Sequence, residues 1–375
     1  IKTKLKEKLK ILFVCSWYPS REHSTIGNFI QRHALTLAEF HDVTVVYATE
    51  SHENLLDQSS NGKLIEHRIY FKKNIPGLSY KKRLGIFLKQ IQKQEKFDLA
   101  HIHVAYPAIL AISSIKIPYL ITEHFSGYHK ISGYNWGGLK KKLTLKALNN
   151  SAAILPVAHH LGNAIKEFGV KDKFFKVSNV VDTNVFYPKE EKPETFTFLH
   201  VSSLEERSKN ITGILEGFKK LDDLGFDFIL KIGGDGDLRE LKEKIKKAEL
   251  NSDLIETFGE SSEQEIAEMM RNSNSLVMYS NFENQPCTIL EALCSGLPIV
   301  SSNVGGIPEE INDENGILVE PSSIPEFVQA LKTMVQNYGN YDRTAISKNA
   351  IDLYSNDSVA EQITKIYSSV LNKDS

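Results

Sequence analysis

Short apolar runs recur along this chain of 375 residues, and a longer segment with helical spacing follows each of them. That order builds parallel sheets with crossover helices packed on both faces, which narrows the fold class before any residue is given a task. Residues 10–15 (KILFVC) open the series. Pro19 and Gly27 punctuate the loop after it, and Phe29, Ile30, His33, Leu37 and Phe40 then recur at helical spacing. Residues 43–47 close a first strand, helix, strand unit. Strands at 99–104, 119–122, 153–156 and 175–177 continue the alternation. After Tyr187-Pro188 and the charged stretch 189–194 it begins again, with strands at 196–201, 228–232, 255–258, 275–279 and 298–301. The expected fold class is α/β, with two doubly wound Rossmann-like domains joined near residue 188.

Charge supports the division. The net charge is only -2, yet 27 Lys and Arg face 14 Asp and Glu through Pro188, whereas the remainder holds 18 against 33. Surfaces of opposite sign imply different electrostatic tasks. Cys15, Cys287 and Cys294 stand in no Cys-x-x-Cys spacing, so a disulfide framework and a structural zinc site are excluded and a reducing compartment is expected. No apolar run approaches the roughly 20 residues that span a bilayer. Residues 1–10 alternate Lys with apolar residues and lead into a short strand, not a signal peptide's hydrophobic stretch. The expected location is the cytoplasm, at most the inner face of the membrane. Nucleic acid is not an expected partner, since no recognition module is present.

Ligands of doubly wound domains bind beyond the carboxyl ends of strands, where loops and helix N-termini converge. The richest such segment follows the strand at 275–279. It holds Ser280, Glu283, Asn284, Gln285, Pro286, Cys287, Thr288 and Glu291, and then Gly296 and Pro298. On one helix the two glutamates would lie about 80° apart. Glu283, however, precedes the helix, so the loop and the first turn can present two carboxylates and several backbone N–H groups to one anionic, polyhydroxylated ligand. Carboxylates accept from sugar hydroxyls, while free N–H groups and the helix dipole suit phosphate. Spacing alone fits two solvated glutamates equally well.

This segment resembles the paired-glutamate signature of the retaining nucleotide-sugar glycosyltransferases of the GT-B architecture, family four (glycosyl transferases group 1). Other segments fall in the same family order: 13–19 with 27–33, His101 and His103, Thr122 to His124, 178–188, 233–236, 301–309 and Asn315-Gly316. The resemblance implies two Rossmann-like domains facing a central cleft, with a C-terminal helix crossing back to the first. Residues 1–188 plus about 356–375 would bind the acceptor, and 189–355 the nucleotide sugar. It implies retaining, metal-independent transfer of a hexose-type sugar from a UDP- or GDP-sugar to a glycan or lipid-linked glycan of the cell envelope, without a cofactor. A nucleotide-sugar epimerase of the same architecture and a non-catalytic nucleotide-sugar-binding subunit are the alternatives.

Residue by residue, the resemblance implies that Glu283 contacts the donor sugar and Glu291 the nucleotide ribose. Asn284, Gln285, Pro286, Cys287 and Thr288 would line the donor with backbone, and His124 would lie near the sugar. One of His101 and His103, which alternate on a strand, is expected to be buried packing with a satisfied N–H. Gly27 would let backbone approach a diphosphate. A leaving diphosphate gains charge, and a site without metal needs fixed cations to stabilise it. The family reads Gly-Arg-Leu and then Lys at that point. Here Ser202-Ser203-Leu204 is followed by Arg207 and Lys209. Lys209 matches the lysine and Ser203 stands where arginine is usual, so either Arg207 reaches in or catalysis is weaker.

The loop Gly233-Gly234-Asp235-Gly236 fails the dinucleotide template, because Arg239 stands where the third glycine belongs. The resemblance places Gly234 near the nucleotide. Asp235 and Asp237 have the spacing of a metal pair, but the glycine loop explains them better and no metal is expected. Cation-rich stretches at 2–10, 80–89 and 139–148 suit anionic lipid headgroups, and the latter two equally suit helices docking on a sheet. Residues 51–74 and 125–138 are expected to be loops that face the acceptor.

Overall fold

The computed structural model describes residues 8–72, 78–171, 173–189 and 193–371. Part of the basic stretch at 2–10, the end of the 51–74 segment and part of the charged connector at 189–194 therefore lie outside the described residues. The chain divides into two compact units, one ending at Val180 and taking back the chain from Asn356, the other spanning Val181–Ser355.

The first unit is built on β1 (Lys10–Cys15), β2 (Asp42–Ser51), β3 (Leu55–Asn61), β4 (Leu64–Lys72), β5 (Leu99–His103), β6 (Tyr119–Glu123) and β7 (Ile154–Pro156), in the order β3-β4-β2-β1-β5-β6-β7. Every pairing is parallel except β3 with β4. The uninterrupted apolar run of β1 is what a strand buried on both faces requires. Leu12 and Val14 enter the core on one side of the sheet, and Ile11, Phe13 and Cys15 the core on the other. The helix Asn356–Leu371 belongs to that second core, where Val359, Ile363 and Tyr367 join Ile30, Ala34 and Leu37 of the helix Asn28–Ala38. Buried hydrogen bonds anchor it, from His41 Nε2 to Thr364 Oγ1 at 2.9 Å and His101 Nδ1 to Tyr367 OH at 2.6 Å.

Two expectations change. The described part of the 51–74 segment is not a loop: β3 and β4 form a hairpin, and β4 pairs in parallel with β2. Periodicity hides these strands because β3 (LLDQSSN) is mostly exposed and β4 carries Glu66, His67 and Arg68 within its apolar stretch. The two-residue turn Gly62-Lys63, with Gly62 at φ +61°, joins them and carries the hairpin signal. Residues 175–177 are extended but form no strand. Phe175 N donates to Ile154 O at 3.0 Å and Val177 N to Pro156 O at 3.1 Å, without a ladder.

The second unit contains β8 (Thr197–Val201), β9 (Ile229–Gly233), β10 (Ile255–Phe258), β11 (Ser275–Met278), β12 (Ile299–Ser302) and β13 (Gly316–Val319). All are parallel, in the order β10-β9-β8-β11-β12-β13. The chain winds outward from β8 in one direction and from β11 in the other, so the loops after these two strands leave a topological switch point, the usual place for a ligand in an open parallel sheet. Residues 181–188 pack with this unit: Val181 N donates to Tyr354 O at 2.9 Å, and Val181 and Phe186 lie in its core. Among the described residues no helix is long and apolar enough to cross a membrane.

Candidate functional site

The loops leaving β8 and β11 are stitched together. Asn281 N donates to Ser208 O at 2.8 Å, and Asn281 Nδ2 to Arg207 O at 3.0 Å. Across this seam Lys209 Nζ lies 2.5 Å from Glu283 Oε1, an oxygen that also accepts from Ser280 Oγ at 2.9 Å. The two charged side chains are only 17% and 10% exposed, so their attraction acts through a medium far less polarisable than water. An ammonium has three N–H donors and a carboxylate about four acceptor positions. The ion pair therefore fixes both groups while leaving each with capacity for a ligand.

Beyond Glu283 the chain enters the helix Cys287–Cys294, with Pro286 at the cap position. Pro286 brings no side-chain cap and the first turn holds no acidic residue, so the positive end of the helix dipole faces the loop that carries Glu283. Cys287 and Thr288 form that turn. Glu291 lies on the next turn and is buried. Burial, reinforced by the charge of Glu291, pushes the Cys294 thiol up to about 12.

The segment Gly305-Gly306, whose role the sequence leaves open, supports the loop from the β12 side. Gly306 N donates to Asn284 O at 3.0 Å, and Ser302 Oγ to Ser280 O at 2.6 Å. Gly305 has φ +61°, and a Cβ there would stand 1.8 Å from Glu283 O. Its glycine signal is visible in the sequence, but its partner is not.

The loop after β8 is held by a chain of hydrogen bonds that starts from the buried His200. His200 Nδ1 lies 2.9 Å from Val277 O, a pure acceptor, so that nitrogen carries the proton. Burial keeps the imidazole neutral, with its pKa lowered to about 4. Nε2 can then accept from Ser202 Oγ at 2.8 Å, and Ser202 Oγ accepts from Leu204 N at 3.1 Å. Leu204 sits in the left-handed region at φ 58°, a conformation that costs about 1 kcal/mol or more in a branched residue and persists only where neighbours impose it. Gly234 and Gly236 leave room for this turn to pack closely. A Cβ on Gly234 would meet Ser202 O at 1.8 Å, and one on Gly236 would meet Ser203 O at 2.2 Å. The glycine loop is thus a packing partner of the 202–204 turn. Ser203 and Arg207 are exposed, whereas Lys209 is partly buried. Asp237 caps the helix Leu238–Ala248, accepting from Arg239 N at 2.8 Å.

Gly27 and His124 belong to the first unit. Gly27 caps the helix Asn28–Ala38 at φ +80°, and a Cβ there would meet Trp17 C at 2.7 Å, so the missing side chain makes room for the 17–18 backbone. His124 is buried in an aromatic cluster, 4.6 Å from the Phe29 ring, 5.8 Å from His33 and 5.9 Å from His103. Burial drives its pKa well below the ordinary histidine value, with His33 adding to that and a hydrogen bond with Asn179 opposing it. His101 and His103 are both buried, and His101 is fully engaged with Tyr367 and Thr122.

A family model described as Glycosyl transferases group 1 matches residues 182–353, and one described as Glycosyltransferase Family 4 matches residues 26–185. The chain is similar to an uncharacterized glycosyltransferase of Methanocaldococcus jannaschii, with 25% identity over 88% of this chain and 89% of the relative. Two solved structures share the fold. One is a sucrose-phosphate synthase of Thermosynechococcus elongatus, with TM-score 0.79, 14% identity and coverage of 98% of this chain and 100% of the other. The second is HepE of Anabaena in complex with UDP-glucose, with TM-score 0.73, 15% identity and coverage of 96% and 100%.

Proposed function

The chain belongs to the glycosyltransferases of group 1 and family 4, and from that premise we propose that it transfers a sugar with retention from a nucleoside diphosphate sugar to an acceptor. The observation that carries this reading is the Lys209–Glu283 pair on the loop that leads into the N-terminus of the helix Cys287–Cys294. Cation and helix N-terminus suit a diphosphate, and the carboxylate suits sugar hydroxyls. Fixed positive charge of this kind stabilises the leaving diphosphate without a metal ion. Glu291, on the next turn, would take the ribose hydroxyls at the floor of the site. Because Ser203 brings no charge and Arg207 is exposed, Lys209 is the principal side-chain cation of the donor site.

UDP is the first nucleotide to test, since HepE is a fold neighbour solved with UDP-glucose, and GDP is the second. The basic first half, with 27 Lys and Arg against 14 Asp and Glu through Pro188, favours an anionic acceptor, which fits a glycan or lipid-linked glycan of the cell envelope. A peripheral contact with anionic membrane on its cytoplasmic side is supported by one face of the first unit. The helices Leu78–Gln94 and Gly138–Asn150 both flank Ile109–Ser114, and Lys81, Leu143 and Lys146 line a groove there. Leu84, Leu88 and Ile91 dock their helix on the sheet, while Leu78, Ile86 and Leu139 are exposed beside Lys82, Lys89, Lys141 and Lys142.

The test is donor-dependent transfer by purified wild type, Glu283→Ala and Lys209→Ala. Loss of transfer in Glu283→Ala and severe weakening in Lys209→Ala are expected, and near-normal turnover in both would overturn the site. The exposed serine at position 203 favours one second reading, a nucleotide-sugar-binding subunit without catalysis. Donor binding with neither transfer nor hydrolysis, unaltered in Glu283→Ala, would select it.

A further inference from the structure

Gln285 lies between Glu283 and the helix Cys287–Cys294, and its side chain is buried. Its Nε2 donates to Glu310 Oε1 at 2.7 Å. Glu310 follows the turn Ile307–Glu309, is also buried, and accepts on its second oxygen from the phenol of Tyr354. Tyr354 ends the helix Arg343–Tyr354 in the core of the second unit, and its own carbonyl accepts from Val181 N at 2.9 Å. Burial, with Glu310 close by, holds the phenol far above its ordinary pKa, so it remains a donor.

A buried carboxylate is tolerated when donors surround it, and donors on both oxygens also fix the plane in which it lies. Among the donors to Glu310, Gln285 comes from the donor loop and Tyr354 from a core helix. The backbone of Glu310 is held separately, its carbonyl accepting from Asn315 Nδ2 at 3.0 Å. Gly306 N binds Asn284 O at 3.0 Å, so the same two loops meet at two adjacent residues, once through backbone and once through the Gln285 side chain.

We propose that Glu310 is a positioning residue of the donor site, fixing Gln285 and with it the segment that carries Glu283 and the N-terminus of the helix Cys287–Cys294, with Tyr354 as its anchor. The inference rests on the donor reading above. Neither Glu310 nor Tyr354 needs to touch the donor. Their effect runs through the placement of the loop, where a shift of about 1 Å has large consequences for a bound ligand.

The experiment is calorimetric titration of the full chain with UDP, GDP and ADP, using wild type, Tyr354→Phe, Glu310→Gln and the double variant Gln285→Glu/Glu310→Gln. The tyrosine change removes one hydroxyl and keeps the ring. The single Glu310→Gln change leaves either the Gln285 amide or the Tyr354 hydroxyl facing an amide N–H. The double variant restores both bonds, because the amide then at position 310 can donate to the carboxylate at position 285 and accept from Tyr354. The expected result is a loss of about tenfold in nucleotide affinity for each single variant, with recovery to within about threefold in the double variant. Unchanged affinity in both single variants, or no recovery in the double variant, would overturn the proposal. If wild type binds none of the three nucleotides at millimolar concentration, the donor reading itself fails and the inference falls with it.

Discussion

Gly305→Ala probes the support of the donor loop with a single methyl group. The added Cβ would stand 1.8 Å from Glu283 O, 2.8 Å from Glu283 C and 3.3 Å from Glu283 N. Real Cβ contacts end near 3.0 Å, so the Glu283 carbonyl must retreat by about 1.2 Å. Overpacking of this kind costs about 1–3 kcal/mol, and the left-handed conformation at φ +61° adds about 1 kcal/mol. The larger effect falls on the site. The retreat acts on the residue whose side chain lies 2.5 Å from Lys209 Nζ, and a displacement near 1 Å costs about 100-fold in rate. Gly62→Ala is the control, because Gly62 has the same φ of +61° and nothing within 4 Å of an added Cβ. It should show the conformational cost alone, a modest drop in melting temperature with normal turnover. The assay is transfer from a donor that wild type uses, with melting curves alongside. A folded Gly305→Ala protein that turns over within threefold of wild type would refute the claim that Gly305 sets the position of Glu283.

Acid should destabilise the first unit before the second. His33 and His41 in the first unit and His200 in the second are held near 4 by burial, against an ordinary value of 6.5. The unfolded chain binds the extra protons, so this stability is present above about pH 6.5 and declines as pH falls toward 4, by about 2 kcal/mol per histidine at pH 5. Glu123, pushed up to about 7 by burial, works oppositely and offsets about one histidine's share in the first unit, where His101, His103 and His124 add further acid sensitivity. Relative to the intrinsic exchange rate at each pH, amide protection at pH 5 should fall first in the first unit, and an equal fall in both units would contradict this. Cosedimentation with vesicles should show salt-sensitive binding to anionic but not zwitterionic lipid, reduced several-fold by Lys81→Glu/Lys146→Glu. Binding indifferent to lipid charge would exclude the proposed face.

The sequence is most legible where one residue type answers one physical demand. The apolar run of β1 predicts burial on both faces, and the glutamates at 283 and 291 mark the loop and helix at the switch point of the second sheet. Lys209 is marked by the family resemblance, but its pairing with Glu283 is not, because 74 residues separate the two and only the fold brings the loops after β8 and β11 together. His200, Ser202 and Glu310 escape sequence reasoning for a related cause. Each acts by holding another residue, and a strand histidine or a second acidic residue after Pro308 has no spacing that names its partner. Gly234, which the resemblance places near the nucleotide, has a packing task that no spacing discloses, seen in its φ of +143° and the Ser202 carbonyl against it. The β3–β4 hairpin is hidden by polar residues on an exposed edge, where burial leaves no pattern.

Hydrogen exchange in the presence of UDP-glucose, UDP-N-acetylglucosamine and GDP-mannose tests the central claim most directly, because it locates the donor as well as detecting it. One of these should slow exchange in residues 202–209 and 281–291 of wild type, with the protection lost in Glu283→Ala. Protection confined to other segments, or protection that survives unchanged in Glu283→Ala, would contradict the assignment of this loop pair as the donor site.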